Sequence, residues 1–448
     1  MIRTVLVANR GEIARRIFRA CHQLGLRTVA IYSEADRDAP HVREADDAVA
    51  IGAAPARESY LNIERILAAA RQASADAIHP GYGFLSESWR FADAVRRAGL
   101  VFVGPTPDAI RKMGDKIEAR RLMMTAGVPV LPGSFEPVAD AAGAEAAAQG
   151  VGFPVMLKAA AGGGGIGMAR VARAGDVAAA FAAASRRAHA AFGTGELYVE
   201  RYLERPRHVE VQVFGDTSGT VVHLHERECS IQRRHQKLVE ESPAPGLPRA
   251  VKSGLTAAAV AGARAIGYTN AGTMEFLVDE GGGFYFLEMN ARLQVEHPVT
   301  EEVTGLDLVV AQLRIAGGEP LPWRQDEIAQ RRAAIECRVY AEDPSKGFLP
   351  SPGTVTKLDL PSGEGIRIES GVEVGSTVSV HYDALLLKLV AHGPTREQAL
   401  TRMAGALDQC VIEGPKTTIP FLRRIIASDE FGSGRVHTQL LEQGAFNG

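Results

Sequence analysis

Two rhythms of apolar residues alternate along the chain. Residues 4–8, Thr-Val-Leu-Val-Ala, form an unbroken apolar run, as a strand buried on both faces requires. Asn9-Arg10-Gly11 turns the chain. Ile13, Ile17, Cys21 and Leu24 then recur at helical spacing up to Gly25. A second strand at 28–32 completes a β-α-β unit, which implies a parallel sheet. The pattern continues with a helix near 60–72, a strand at 76–79, a helix near 87–98 and a strand at 100–103. The opening segment therefore reads as an open α/β domain. The turn after the first strand holds only Gly11 of the three glycines in a dinucleotide fingerprint, which argues against such a site there.

Past Gly104-Pro105-Thr106-Pro107 the pattern changes. A helix is predicted through Lys116–Met124. Alanine-rich stretches at 139–150 and 174–192, broken by charged residues, predict surface helices of a small subdomain. Strands are predicted at 197–200, 208–214, 220–225, 272–278 and 284–289, then one helix near 302–315 and a linker at 317–322. Strands at 334–340, 353–359, 366–369 and 385–391 and a helix at 395–408 follow, with no repeat of fixed period.

A chain of 448 residues has a prior of about three domains. Its 50 Lys+Arg against 53 Asp+Glu leave a net charge of −3, which excludes binding nucleic acid by bulk charge. Cys21, Cys229, Cys337 and Cys410 lie far apart with no C-x-x-C pair. That spacing excludes a zinc knuckle, an iron–sulfur cluster and a thioredoxin motif, and fits packed thiols in a reducing cytoplasm. The first apolar run is too short for a secretory signal, and no stretch approaches the roughly 18 apolar residues of a membrane span.

Three segments carry chemistry. Val155–Lys158 reads as a strand ending in lysine, followed by Gly162-Gly163-Gly164-Gly165-Ile166-Gly167 and a second strand. Consecutive glycines let backbone N–H groups cradle phosphate oxygens, and a loop between strands suits a flap over a nucleotide rather than a Walker loop. Residues 273–278 and 284–289 flank a turn at 279–283. A turn centred between Gly281 and Gly282 places Glu275 opposite Glu288, with Asn290 on the face of Glu288. Opposed carboxylates repel unless a cation lies between them, and an all-oxygen set suits Mg²⁺. The cationic run at 226–237 would ordinarily be a solvated face. Beyond it, Asn290, Arg292, Gln294 and Glu296 occupy every second position. If extended, this strip points an amide, a guanidinium, an amide and a carboxylate to one side, as a small anion with a nearby base would need.

These stretches together resemble the biotin carboxylases of the ATP-grasp superfamily. The resemblance runs through VANRGEIARRI at the start, HPGYGFLSES at 79–88, MGDKIEAR at 113–120, the glycine loop and RHVEVQVFGD at 207–216. It continues through ERECSIQRRHQKLVEESPAPG at 226–246, EMNARLQVEHPVTEEVTGLDLV at 288–309 and FLPSPGTV at 348–355.

The resemblance implies a mixed α/β, α+β fold. Its parts would be a Rossmann-like N-terminal domain (1–113), an ATP-grasp body (114–330) with a mobile lid (130–203), and a C-terminal biotin carboxylase domain (331–448). It further implies that Lys116 and Lys158 hold nucleotide phosphates, with Gly163, Gly164 and Gly165 closing over them. Glu200 and Leu203 would line the adenine site, and His208, Gln232 and His235 would contact the ribose or nearby atoms. Glu275, Glu288 and Asn290 would carry Mg²⁺, with Mn²⁺ as an alternative. Lys237, Arg292, Gln294 and Val295 would bind bicarbonate, and Glu296 would be the base. Arg338 would stabilise the biotin enolate, and Tyr82 would border the biotin.

The expected activity is ATP- and bicarbonate-dependent carboxylation of biotin on a carrier protein through carboxyphosphate, as the first half-reaction of acetyl-CoA carboxylase. Propionyl-CoA, methylcrotonyl-CoA, pyruvate and urea are the alternative acceptors. With no biotinylation motif and no carboxyltransferase region in the sequence, a biotin carboxyl carrier protein and carboxyltransferase subunits are expected as partners, and a homodimer as the assembly. Three residues depart from the family pattern. Ile166 removes a cation from the flap, Ala291 replaces Thr or Ser beside the strip, and Arg201 replaces Lys near the adenine pocket.

Overall fold

The computed structural model describes residues 2–160 and 167–446. Strands β1 (Thr4–Val7), β2 (Arg27–Ser33), β3 (Asp47–Gly52), β4 (Ala77–His79) and β5 (Val101–Phe102) form a parallel sheet in the order β3-β2-β1-β4-β5. The helix Gly11–Gln23 buries Ile13, Ile17 and Cys21 as its spacing predicts, and Gly25 takes a left-handed φ of +68° just beyond its end. Strand order reverses between β1 and β4, the place where open α/β sheets bind ligands. Asn9, just after β1, donates its side-chain amide to the carbonyls of Pro80 (2.8 Å) and Tyr82 (2.7 Å). That clamp fixes the loop carrying Tyr82 at the reversal. The sequence pattern does not single out β3, a short run ending in small residues.

The alanine-rich helices Ala141–Val151 and Val177–Phe192 pack on a three-stranded sheet of β6 (Val155–Ala159), β7 (Ala169–Val171) and β8 (Leu197–Arg201), ordered β7-β6-β8. Ala144, Ala148, Ala184 and Ala188 join Val155, Leu157 and Val199 in a small core of their own. Small side chains let helices lie close to so narrow a sheet.

The largest sheet has eight strands: β9 (Arg207–Gly215), β10 (Val221–Arg233), β11 (Gln236–Ser242), β12 (Asn270–Val278), β13 (Phe284–Asn290), β14 (Ala333–Tyr340), and the strands Leu385–Gly393 and Ile366–Ser370. Its order is β13-β12-β9-β10-β11-β14 followed by Leu385–Gly393 and Ile366–Ser370. Because β11 pairs with β14 through Val239↔Cys337 and Glu240↔Glu336, the sheet continues from the central into the C-terminal part of the chain. All four cysteines are buried and free. No helix among the described residues is long and apolar enough to cross a membrane.

Several elements differ from the sequence reading. The cationic run is the hairpin β10–β11, not a solvated face. The helix Arg249–Ala265 lacks a strong apolar stripe and is invisible to periodicity. The expected helix at 302–315 is two helices, His297–Thr304 and Leu308–Ala316, because Gly305 at φ +76° caps the first. The expected strand at 353–359 is two short pieces, Gly353–Thr354 and Lys357–Asp359. Extended backbone ends at Asn290, so residues 291–296 form an irregular approach to a helix rather than a flat strip. The hairpin is subtler. Near the turn Val278 pairs with Phe284 and Phe276 with Phe286, one position off the register of a turn centred at 281/282. A β-bulge between Glu275 and Phe276 restores that register, and Glu275 does face Glu288.

Candidate active site

Along β9 the polar residues His208, Glu210 and Gln212 alternate with Val209, Val211 and Val213, and all six are buried. The polar face of β9 is therefore buried. It underlies a cavity of about 1010 Å³ bounded by the three-stranded unit, the sheet and the β1/β4 crevice. Tyr82, Lys116, Lys158, Glu200, Leu203, His208, Gln232, His235, Lys237, Glu275, Glu288, Asn290, Arg292, Gln294, Val295 and Arg338 all line it, so residues from every part of the chain converge.

The floor is organised by Lys237 on β11. Its ammonium donates to Glu210 (2.5 Å), Glu296 (2.7 Å) and Glu275 (2.8 Å). Glu296, fully buried just before the helix His297–Thr304, also accepts from Arg338 at 2.9 Å, and Arg338 pairs with Glu240 as well. Glu210 in turn holds Arg227 at 2.6 Å, and Arg227 donates to Gln212 and Thr300. Burial alone would raise the Glu296 carboxyl. Lys237, then Arg338 and Arg227, outweigh it and hold Glu296 well below the usual carboxylate range. The same contest depresses Glu275, with Lys237 and His208 as the opposing charges. Burial would lower Lys237, but three carboxylates push it well above its ordinary value. The site thus holds fixed charges in a dry setting, where their fields are strong.

The strip converges although it is not a strand. Arg292 donates to Asn290 and Gln294 (2.8 Å each) and pairs with Glu87 at 3.0 Å. Asn290 (2.8 Å) and Gln294 (3.1 Å) both donate to Glu275. Ala291 contributes a backbone N–H to Glu87 at 3.2 Å.

At the end of the cavity bordered by the three-stranded sheet, Lys158 on β6 meets Glu200 on β8 at 2.5 Å, and Arg120 meets the other Glu200 oxygen at 2.9 Å. Lys116 begins the helix Lys116–Thr125, whose cap Asp115 accepts from the N–H groups of Ile117 and Glu118. Its ammonium stands 3.8 Å from Glu288, a long pair on a part-exposed carboxylate. His235 follows Arg234 in the two-residue turn of β10–β11. Both have positive φ (+68° and +49°), which non-glycine residues adopt at a cost of about 1–3 kcal/mol, a strain common at functional sites. Gln232 and Glu275 flank the His208 ring at 3.1 and 2.9 Å; burial would lower His208, and Glu275 more than offsets it to raise it. Arg201 borders the cavity, while Gly163, Gly164, Gly165 and Ile166 lie outside the described residues.

The donors fit a hard cation. Glu288 keeps its carboxylate toward the cavity with only the distant Lys116 as partner among the described residues, and Glu275 and the Asn290 amide face the same space. Glu275 is the more occupied, since Lys237, Asn290, Gln294 and His208 all contact it.

Sequence reasoning missed Glu210, Arg227, Glu87, Arg120 and Glu240. Glu210 could have been found, because it shares with His208 and Gln212 the polar phase of an otherwise apolar strand. Arg227 was visible only as one cation in a run. Arg120 and Glu240 left no local signal, since their partners lie 80 or more residues away in Glu200 and Arg338.

Family models match most of the chain. "Biotin carboxylase, N-terminal domain" matches residues 1–110, "Carbamoyl-phosphate synthase L chain, ATP binding domain" matches 115–324, and "Biotin carboxylase C-terminal domain" matches 336–443. Biotin carboxylase 2 of Bacillus subtilis is 52% identical over 443 residues, 99% of this chain and 100% of that protein. A pyruvate carboxylase subunit of Methanothermobacter thermautotrophicus is 48% identical over 443 residues, 99% of this chain and 90% of that one. The biotin carboxylase domain of Hydrogenobacter thermophilus 2-oxoglutarate carboxylase, solved as a dimer with MgADP, ADP and bicarbonate, superposes with a TM-score of 0.97 at 47% identity. That alignment covers 100% of this chain and 99% of the other. With full-length likeness, three matching family models and a cavity that gathers the motif residues, the chain belongs to the biotin carboxylase family and is an ATP-grasp carbon–nitrogen ligase.

Proposed function

We propose that this biotin carboxylase performs the first half-reaction of acetyl-CoA carboxylase, working in the cytoplasm as a homodimer with a biotin carboxyl carrier protein and carboxyltransferase subunits. Its substrates are ATP, bicarbonate and biotin. The division at 1–113, 114–330 and 331–448 goes with this reading. So does the assignment of the nucleotide to the lid end of the cavity and of bicarbonate and biotin to the floor. One observation carries it: Lys237, Glu296 and Arg338 form a buried chain of contacts at 2.7 and 2.9 Å.

Bicarbonate is a poor electrophile and must be activated. Lys237 and Arg292 hold the anion, Arg292 by its paired donors. A bicarbonate oxygen attacks the γ-phosphorus, the bond to ADP breaks, and the bicarbonate proton passes to Glu296. Lys116 and Lys158 neutralise charge on the phosphates, Lys158 by exchanging Glu200 for the nucleotide. Mg²⁺ at Glu275, Glu288 and Asn290 would supply further charge neutralisation on the phosphoryl oxygens. Glu296 is a weak base while Lys237 and Arg338 clamp it. An anion that draws Lys237 toward itself raises its proton affinity in the complex that needs it. Carboxyphosphate, shielded from water, breaks at its carbonyl C–O bond to CO₂ and phosphate; the phosphate takes the proton of the ureido N–H while Arg338 faces the ureido oxygen, and the freed nitrogen attacks CO₂ to give N-carboxybiotin.

Pyruvate and 2-oxoglutarate carboxylase relatives match this chain at 48% and 47%, close to the 52% of the Bacillus subtilis biotin carboxylase, so this half of the chemistry is shared among acceptors. ADP release with Mg²⁺ and bicarbonate, with and without free biotin, tests the core reading. Strong stimulation by biotin supports it. ATP cleavage that ignores both biotin and a biotinylated carrier would favour a carbamoyl-phosphate-type activity.

A further inference from the structure

The floor of the cavity rests on a lysine outside every motif above. Lys388, in the strand Leu385–Gly393, is completely buried. Its ammonium donates to the carbonyl of Val295 at 2.7 Å. It meets the carboxylate of Glu12, from the helix Gly11–Gln23, at 3.4 Å, and stands 5.6 Å from the centre of the Tyr82 ring, within cation–π range. One side chain from the C-terminal part therefore touches three groups from three other places in the sequence, all of which border the cavity.

The local backbone explains why a donor is needed. Glu296 caps the helix His297–Thr304, so Val295 lies one residue outside it, and its carbonyl has no intrahelical partner. The neighbouring carbonyls are otherwise engaged: Gln294 accepts from His297, and Glu296 accepts from the N–H of Val299 at 3.2 Å. Lys388 is thus the side chain that fixes the peptide joining Val295 to Glu296. A neutral donor would satisfy the carbonyl equally well. A buried ammonium adds a charge balanced by Glu12, whose carboxylate accepts no hydrogen bond among the described residues.

We propose that Lys388 is a positioning residue for carboxylation, holding the Val295–Glu296 peptide and the Tyr82 ring in their working orientations. It acts through the bicarbonate, base and biotin groups and touches no substrate itself. The inference rests on the site assignment above and goes beyond it by naming the residue that sets the geometry.

Steady-state kinetics of Lys388→Met test it, with wild type run in parallel. The expected result is a bicarbonate KM raised at least tenfold and biotin-dependent turnover lowered at least tenfold, with the ATP KM within twofold of wild type. Lys388→Arg, which keeps a cationic donor, should recover part of the loss. Because Lys388→Met leaves Glu12 buried without its cation, the double variant Glu12→Gln/Lys388→Met restores charge balance and should fold while keeping the kinetic defect. Bicarbonate KM and turnover within twofold of wild type overturn the proposal. So does an ATP KM that rises in step with that of bicarbonate, or failure of every variant to fold, each of which marks a general structural role. Absence of bicarbonate- and biotin-dependent turnover in wild type would instead remove the site assignment on which the proposal rests.

Discussion

The two ends of the cavity are built differently. At the floor every charge already has a partner within the chain: Lys237 joins three carboxylates, Glu296 sits between Lys237 and Arg338, and Glu210 is paired with Arg227. All of these side chains are buried or nearly so. At the proposed nucleotide end Glu288 is part exposed, Lys116 reaches it only at 3.8 Å, and Lys158 pairs with Glu200. The floor is electrostatically preorganised, whereas the proposed nucleotide end includes a longer, more exposed pair. That division suits the chemistry. On the proposed reading, carboxyphosphate forms and decays at the floor, where dipoles must already be aimed, while ATP enters and ADP leaves at the other end.

Removing a charge should therefore cost far more at the floor. Lys237→Met leaves Glu210, Glu275 and Glu296 facing one another in a dry site. Loss of a partner from such a buried group costs about 3–5 kcal/mol of stability, and biotin carboxylation should fall by more than about a thousandfold. Denaturant titration and product assay measure both. Unchanged stability would deny the floor its preorganised character.

Glu288→Ala, at the open end, should leave stability nearly unaltered and raise the Mg²⁺ concentration for half-maximal activity by about tenfold, since one hard ligand is lost. An unchanged Mg²⁺ titration would take Glu288 out of the metal set. Lys116→Ala should raise the ATP KM by about tenfold, with stability within about 1 kcal/mol of wild type because the pair it loses is long and part exposed. An effect on bicarbonate KM as large as that on ATP would blur the two ends.

An effect confined to the pH dependence of stability concerns Glu240, next to Arg338. Burial pushes its carboxyl up to about 7 despite the pull of Arg338, with Glu296 adding repulsion. Its folded-state value exceeds the unfolded one, so the folded protein binds the extra proton between about pH 4.5 and 7, and this group's contribution to stability falls as pH rises through that window. Glu240→Gln should remove that fall, narrowing the difference between stabilities at pH 5 and pH 7 by about 2 kcal/mol relative to wild type. Parallel stability curves for the two proteins would show that Glu240 does not titrate there.

What the sequence disclosed follows the same division. Local signals were legible. The β-α-β opening, the alanine-rich helices, and the Glu275–Glu288 pairing were read from spacing alone, although the pairing arises from a bulge that spacing cannot reveal. The strip at 290–296 was read as a group that faces one site, and it does converge, yet by hydrogen bonds among its own side chains rather than by extended backbone. Glu240, Arg120 and Lys388 stayed hidden because they act through partners 80 or more positions away, and a single buried charge in an apolar strand looks the same whether or not a partner awaits it. The roles of Lys116, Glu200, His208, Gln232 and Arg338, by contrast, came through family resemblance, which carries long-range pairing that local periodicity lacks.

The central claim is that the floor performs carboxylation while the other end binds nucleotide, and Glu296→Ala separates the two most directly. ATP affinity, measured by equilibrium titration, should stay within about threefold of wild type, while single-turnover carboxylation of biotin drops by at least about a hundredfold. Near-normal carboxylation, or loss of ATP binding together with carboxylation, would contradict the account.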